Sequence, residues 1–121
     1  MTLRSWVITL TVSSALFAAN PVVDNARKQI ADKKYDEAIA SLEAAYKSKP
    51  APDVKKALAD ANLAKADAMM ADQSAPPRMK YPTALRAYRE VLKYDKDNAK
   101  AKENIATIEG IYKSMGRPIP Q

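Results

Sequence analysis

Two stretches share one outline: YDEAIASLEAAY at residues 35–46 and YPTALRAYREVL at residues 81–92. Tyr35, Ala38, Ile39, Leu42, Ala45 and Tyr46 answer to Tyr81, Ala84, Leu85, Tyr88, Val91 and Leu92, each 46 residues further on. Apolar residues three and four apart mark one side of a helix. A chain that builds the same helix twice is making a unit that buries its apolar side against neighbouring units. Small residues at Ala38 and Ala84 let a neighbouring helix approach closely, while the large residues beside them fill the remaining space.

The same period runs on to either side, and the fold class expected is all-α. No run of alternating β-branched residues follows residue 20, and only two glycines occur, Gly110 and Gly116. A first helix is expected over Val22–Asp32, with Val22, Ala26 and Ile30 on its apolar stripe and an Asp24–Lys28 pair at the favourable spacing. The second covers Tyr35–Ser48, with Asp36 and Glu37 in its first turn and Lys47 in its last, as the helix dipole favours. Pro50 and Pro52 end it. Asp53 is the expected N-cap of a long third helix reaching Asp72. The stretch QSAPPRMK forms the next break. A fourth helix starts near Tyr81, with Pro82 in its first turn, and ends near Tyr94. The fifth spans Asn98–Met115, burying Ala101, Ile105, Ile108, Tyr112 and Met115. Gly116 suits the left-handed residue after a helix, and Pro118 blocks continuation.

Residues 1–19 read differently. MTLR carries one basic side chain, and an uncharged apolar run too short for an easy bilayer span follows, ending in small residues. This is the pattern of an export signal. Cleavage after Ala18 puts Leu16 and Ala18 at the determining positions, whereas cleavage after Ala19 puts bulky Phe17 at one of them. The competing reading is an uncleaved N-terminal anchor. The domain is then residues 20–121, in a periplasmic or secreted setting, with a net charge near +5 once Arg4 is gone.

The spacing resembles the tetratricopeptide repeat. In that family the second helix of each hairpin opens with an aromatic residue, followed by alanine, a large apolar residue, a small residue and a proline. Tyr35, Ala38, Leu42, Ala45 and Pro50 match all five positions. Tyr81, Ala84 and Tyr88 match in the second copy, while Val91 is larger than usual and Lys96 replaces the proline. Ile105, Ile108, Tyr112 and Gly116 match a family first helix, except that Glu109 stands at its small position. The family period is about 34 residues, so the 46 seen here is a departure, placed in the long third helix and the loop after it. The resemblance implies an antiparallel helix-hairpin solenoid of about two and a half repeats. Its parts are a hairpin over 22–50, a hairpin over 53–95 with an extended loop at 72–80, and a terminal helix over 97–116.

Solenoids of this family hold a peptide or helix of another protein on a concave face lined by first helices. On that implication Arg27, Lys55, Asn62 and Lys113 are candidate contacts, able to meet carboxylates or a peptide backbone; ordinary solvated helix surface is the competing reading. Met69, Met70 and Met79 flank the Pro-Pro loop. Methionine adapts to irregular surfaces, so the three either touch a partner or fill gaps between the third and fourth helices.

Enzyme chemistry has little to build on. There is no Cys and no His, which removes thiolate nucleophiles, imidazole bases and zinc ligands of those types. Asp36 and Glu37 are adjacent, so they point to different sides of a helix, and no convergent acid–base set is apparent. No cofactor is expected. Nucleic-acid binding through stacked tyrosines is disfavoured, because four of the six, Tyr35, Tyr81, Tyr88 and Tyr112, fall on packing positions. The charge permits contact with an anionic envelope surface, yet no strongly basic amphipathic stripe demands it. The function expected is a non-catalytic adaptor or scaffold. The alternative is a structural subunit that stacks on copies of itself.

Overall fold

The computed structural model describes residues 20–121, so the export-signal reading of residues 1–19 lies outside it. The described residues form five helices and no strand: α1 (Pro21–Ala31), α2 (Tyr35–Ser48), α3 (Pro52–Ala71), α4 (Pro77–Tyr94) and α5 (Ala99–Ser114). The described residues are all-α, as the helical period predicts. Connectors of a few residues make successive helices antiparallel neighbours. Each helix packs on the next, and α1 also packs on α3.

The helix ends carry their own explanations. Asn20 caps α1, its Oδ1 accepting from Val22 N at 3.1 Å, with Pro21 at the first helical position. Asn98 caps α5 and accepts from Ala101 N at 2.9 Å. After α5, Gly116 N–H bonds Lys113 O and Arg117 N–H bonds Tyr112 O, both at 3.0 Å, around a Gly116 φ of 65°. This paired closure needs a left-handed residue, and glycine adopts it without steric cost. The end of α1 is built the same way around Lys33, whose φ of 62° is paid without glycine's freedom. There Lys33 N–H reaches Ile30 O and Lys34 N–H reaches Gln29 O.

Several local expectations are corrected. In α1 the buried residues are Val23 and Ala26, with Val22 and Ile30 only half-buried, because this helix faces both α2 and α3. Asp24 pairs with Arg27 at 3.6 Å rather than with Lys28. Helix α3 starts at Pro52 with Ala51 as its N-cap, so Asp53 lies inside the first turn, where its Oδ1 accepts from Val54 N. Helix α4 starts at Pro77, a full turn before Tyr81. Proline suits a first helical position, so the Pro-Pro pair begins the helix as well as breaking the chain. The loop therefore shrinks to residues 72–76, and Pro82 lies inside the helix. Met115 is exposed, at 51%, since it follows the last turn of α5.

Two apolar clusters share α3. One joins Val23 and Ala26 to Ala38 and Leu42 and to Val54, Ala57, Leu58 and Ala61 of α3. The other joins Ala59 and Ala66 of α3 to Ala84, Leu85, Tyr88 and Val91 of α4 and to Ala101 and Ile108 of α5. Helix α3 is thus apolar around much of its girth, and alanine is the residue that lets helices close in on both sides. Ala38 and Ala84 are both fully buried, and so are Leu42 and Tyr88, to within 1%. Each buried leucine of this kind contributes roughly 1.5–3 kcal/mol relative to an exposed one. Tyr94 packs against both clusters and meets Tyr46 edge-on, with ring centres 5.8 Å apart.

Candidate functional site

The four residues assigned to a concave face lie on α1, α3 and α5 and make no hydrogen bond or ion pair with one another. Arg27 is exposed and held by Asp24. Lys113 is exposed near the end of α5. Lys55 lines a shallow cavity with Lys56, Asp60, Tyr94 and Asp95. Asn62 is 4% exposed, and its Nδ2 donates to Leu58 O at 2.9 Å inside its own helix. That bond uses one of the two amide hydrogens, and the side chain lines a notch of about 80 Å³ with Arg86 and Glu90.

The methionines also separate. Met69 and Met70 are half-buried against the α3–α4–α5 cluster, which is the gap-filling role. Met79 is 61% exposed. With Met115 it makes up the large apolar side chains that the described residues leave exposed, one in the first turn of α4 and the other just past α5.

Those two helix ends enclose a cleft of about 340 Å³. Pro76, Pro77 and Tyr81 form one wall, and Ile111, Tyr112 and Met115 form the other. The wall is almost wholly apolar. Arg78 and Arg117 flank it, both exposed, and neither takes part in an ion pair among the described residues. The wall exists because α4 begins at Pro77: one more turn of helix carries Arg78 and Tyr81 alongside the end of α5.

A second cavity, of about 370 Å³, opens where α2 begins, lined by Lys33, Lys34, Lys65, Asp36, Glu37, Met69 and Asp72 among others. Lys65 Nζ pairs with Asp36 Oδ1 at 2.6 Å, while Lys33, Lys34 and Glu37 take part in no ion pair among the described residues. Asp72 is turned inward to its own loop, its Oδ1 accepting from Ser74 N and Ser74 Oγ. The Ser74 hydroxyl, then its amide, holds the Asp72 carboxyl below its ordinary pKa. Cations and carboxylates share the lining of this cavity, so it favours no one sign of ligand, whereas both charged residues of the α4–α5 cleft are arginines.

Among the described residues no group of three or more carboxylates is placed to hold a metal, and no helix is long and apolar enough to cross a membrane. Sequence reasoning missed Arg78, Ile111 and Arg117. Their positions in the chain carry no shared motif; only the packing of α4 on α5 joins them. No protein-family model, curated protein or solved structure matches the chain.

Proposed function

We propose that this chain is a non-catalytic protein–protein interaction module, a short and divergent helix-hairpin solenoid like the tetratricopeptide repeat, working in an exported compartment. Serial packing of five helices, contact between α1 and α3, and burial of Ala38 and Ala84 support the repeat reading. The observation that carries the function is the α4–α5 cleft. An apolar wall between two free arginines suits a peptide that presents an apolar side chain next to carboxylates.

Display of a random peptide library to the purified protein tests this. Enriched sequences are expected to pair an apolar anchor with Asp or Glu, and binding should weaken with salt. Reversing both charges, Arg78→Glu with Arg117→Glu, should turn the preference toward basic peptides. Enrichment without a charge signature, or a preference that survives the reversal, removes the cleft from consideration. The exposure of Met79 and Met115 at one end of the molecule also favours a second reading, self-assembly through that end. Sedimentation that shows a tight oligomer dissolved by Met115→Lys would favour it over the adaptor.

A further inference from the structure

The segment after α5 leaves the helix at Gly116 and turns back over the seam between α4 and α5. Residues 117–121 have no regular secondary structure, and Pro118 and Pro120 contribute no amide donors. Ile119 is half-buried against the α3–α4–α5 cluster. Arg89 Nη1 on α4 donates to Pro120 O at 2.7 Å. The other arm of the same guanidinium, Nη2, lies 3.6 Å from Glu109 Oε1 on α5. The Glu109 carboxylate thus holds the arginine across the seam while the arginine grips a backbone carbonyl. One apolar anchor, one charge-assisted hydrogen bond and an extended proline-flanked backbone are the elements by which grooves hold extended peptides.

We propose that the α4–α5 seam is a peptide-binding groove occupied in cis by residues 117–121, and that its ligand is an extended segment of another protein with an apolar residue between prolines. The strap is the argument for the occupant: the chain itself displays the side chain and carbonyl that the groove accepts. The strap's grip is small. It consists of two half-buried residues, Ile119 and Pro120, and one hydrogen bond to α4, hinged on a glycine, so a competing segment has little to displace. Arg117 lines the cleft at the start of the strap, so the cleft and the groove form one track, the far part of which is covered. The proposal rests on the reading of this chain as a peptide holder, but it assigns different residues, Arg89, Glu109 and Ile119.

The test uses the full chain and an acetylated, amidated peptide Arg-Pro-Ile-Pro-Gln as the probe. Ile119→Asp should release the strap. That variant is expected to bind the peptide at least about tenfold more tightly than the unaltered chain, where the strap competes at high effective concentration. Adding Arg89→Ala should abolish the gain. Lys28→Glu, an exposed change on α1, should leave it intact, and because none of these variants touches Arg78 or the apolar wall, failure of the cleft reading and failure of this one are distinguishable. Circular dichroism checks that the variants remain helical. If Ile119→Asp does not fold, Ile119→Ser serves, and an isotope-labelled Ile119 methyl in the unaltered chain gives a second readout, since it should shift to an unpacked position as peptide is added. Equal binding by the unaltered and released chains, or an Ile119 methyl that stays fixed at saturating peptide, overturns the proposal. A concentration-dependent dimer of the released chain that excludes the peptide overturns it too, by giving the groove to a second copy.

Discussion

The hydroxyl of Tyr88 donates to Asp67 Oδ1 at 2.7 Å, and the second oxygen of that carboxylate accepts from Lys100 Nζ at 2.6 Å. One carboxylate on α3 therefore ties α4 and α5 to it. Tyr88 stands where the first copy of the repeated helix has Leu42, and its extra oxygen is buried with the ring. Removing the two partners has unequal consequences. Tyr88→Phe leaves Asp67 paired with Lys100 and partly in water, at a cost of about 1 kcal/mol. Asp67→Ala strands a buried hydroxyl and should cost about 2–3 kcal/mol. Urea unfolding of both variants measures the difference.

The same pair predicts an alkaline limit. Burial first, then the hydrogen bond and charge of Asp67, push the Tyr88 phenol well above its ordinary value of 10.0. The folded state therefore favours the protonated form. Stability from this group is complete below pH 10 and declines as the pH rises beyond it. Burial, with Glu43 next, raises Tyr94 in the same direction. Tyr88→Phe should flatten the fall in melting temperature above pH 10 without removing it, because Tyr94 remains.

Ala38 and Ala84 test the repeated helix. Both have no exposed surface, so a leucine at either has nowhere to go. Ala38→Leu and Ala84→Leu should each destabilise by roughly 1–3 kcal/mol or more through overpacking. Ala40→Leu, on the exposed side of α2, should fall within about 0.5 kcal/mol of the unaltered chain. Equal effects at the buried and exposed positions would break the link between the 46-residue repeat and the core.

These positions were legible because a buried side of a helix writes itself into one short stretch of sequence. The position of α4's start was less so. Pro76 and Pro77 read as a break, yet the second proline is also a good first helical residue, and the choice depends on whether Tyr81 finds the end of α5 to pack on. The burial of Asn62 was no easier to read: a polar residue on an alanine-rich helix reads as an exposed contact, and the bond it makes to Leu58 O is invisible without the packing around it. The cleft and the strap were out of reach altogether. Arg78 and Arg117 come to one cleft, and Arg89 bonds Pro120, only through the turn at Gly116 and the register of α4 on α5.

Lys33 holds a left-handed backbone at the end of α1. A residue with a Cβ pays about 1–2 kcal/mol there, and glycine returns about 0.5–1 kcal/mol of that through its greater freedom when unfolded. Lys33→Gly should therefore stabilise the protein by about 0.5 kcal/mol, read as a small rise in the urea midpoint with an unchanged slope.

The sharing of α3 by two clusters predicts how the molecule comes apart. Leu58 is fully buried in the α1–α2–α3 cluster, on the helix that also carries Ala59 and Ala66 into the other. Ile108 is fully buried on α5, which packs on α4 and marks the far end of the stack. Each truncation to alanine removes a comparable side chain and should cost about 2–5 kcal/mol. The consequences should differ in extent. In a stack where helices hold mainly their neighbours, a defect at the end loosens the end. Ile108→Ala should lower hydrogen-exchange protection in α5 far more than in α1 and α2. Leu58→Ala should lower it in every helix, because both clusters lose their common support. A uniform loss in the Ile108→Ala variant would instead describe a single cooperative bundle, and the repeat would then be a pattern of sequence without a matching unit of stability.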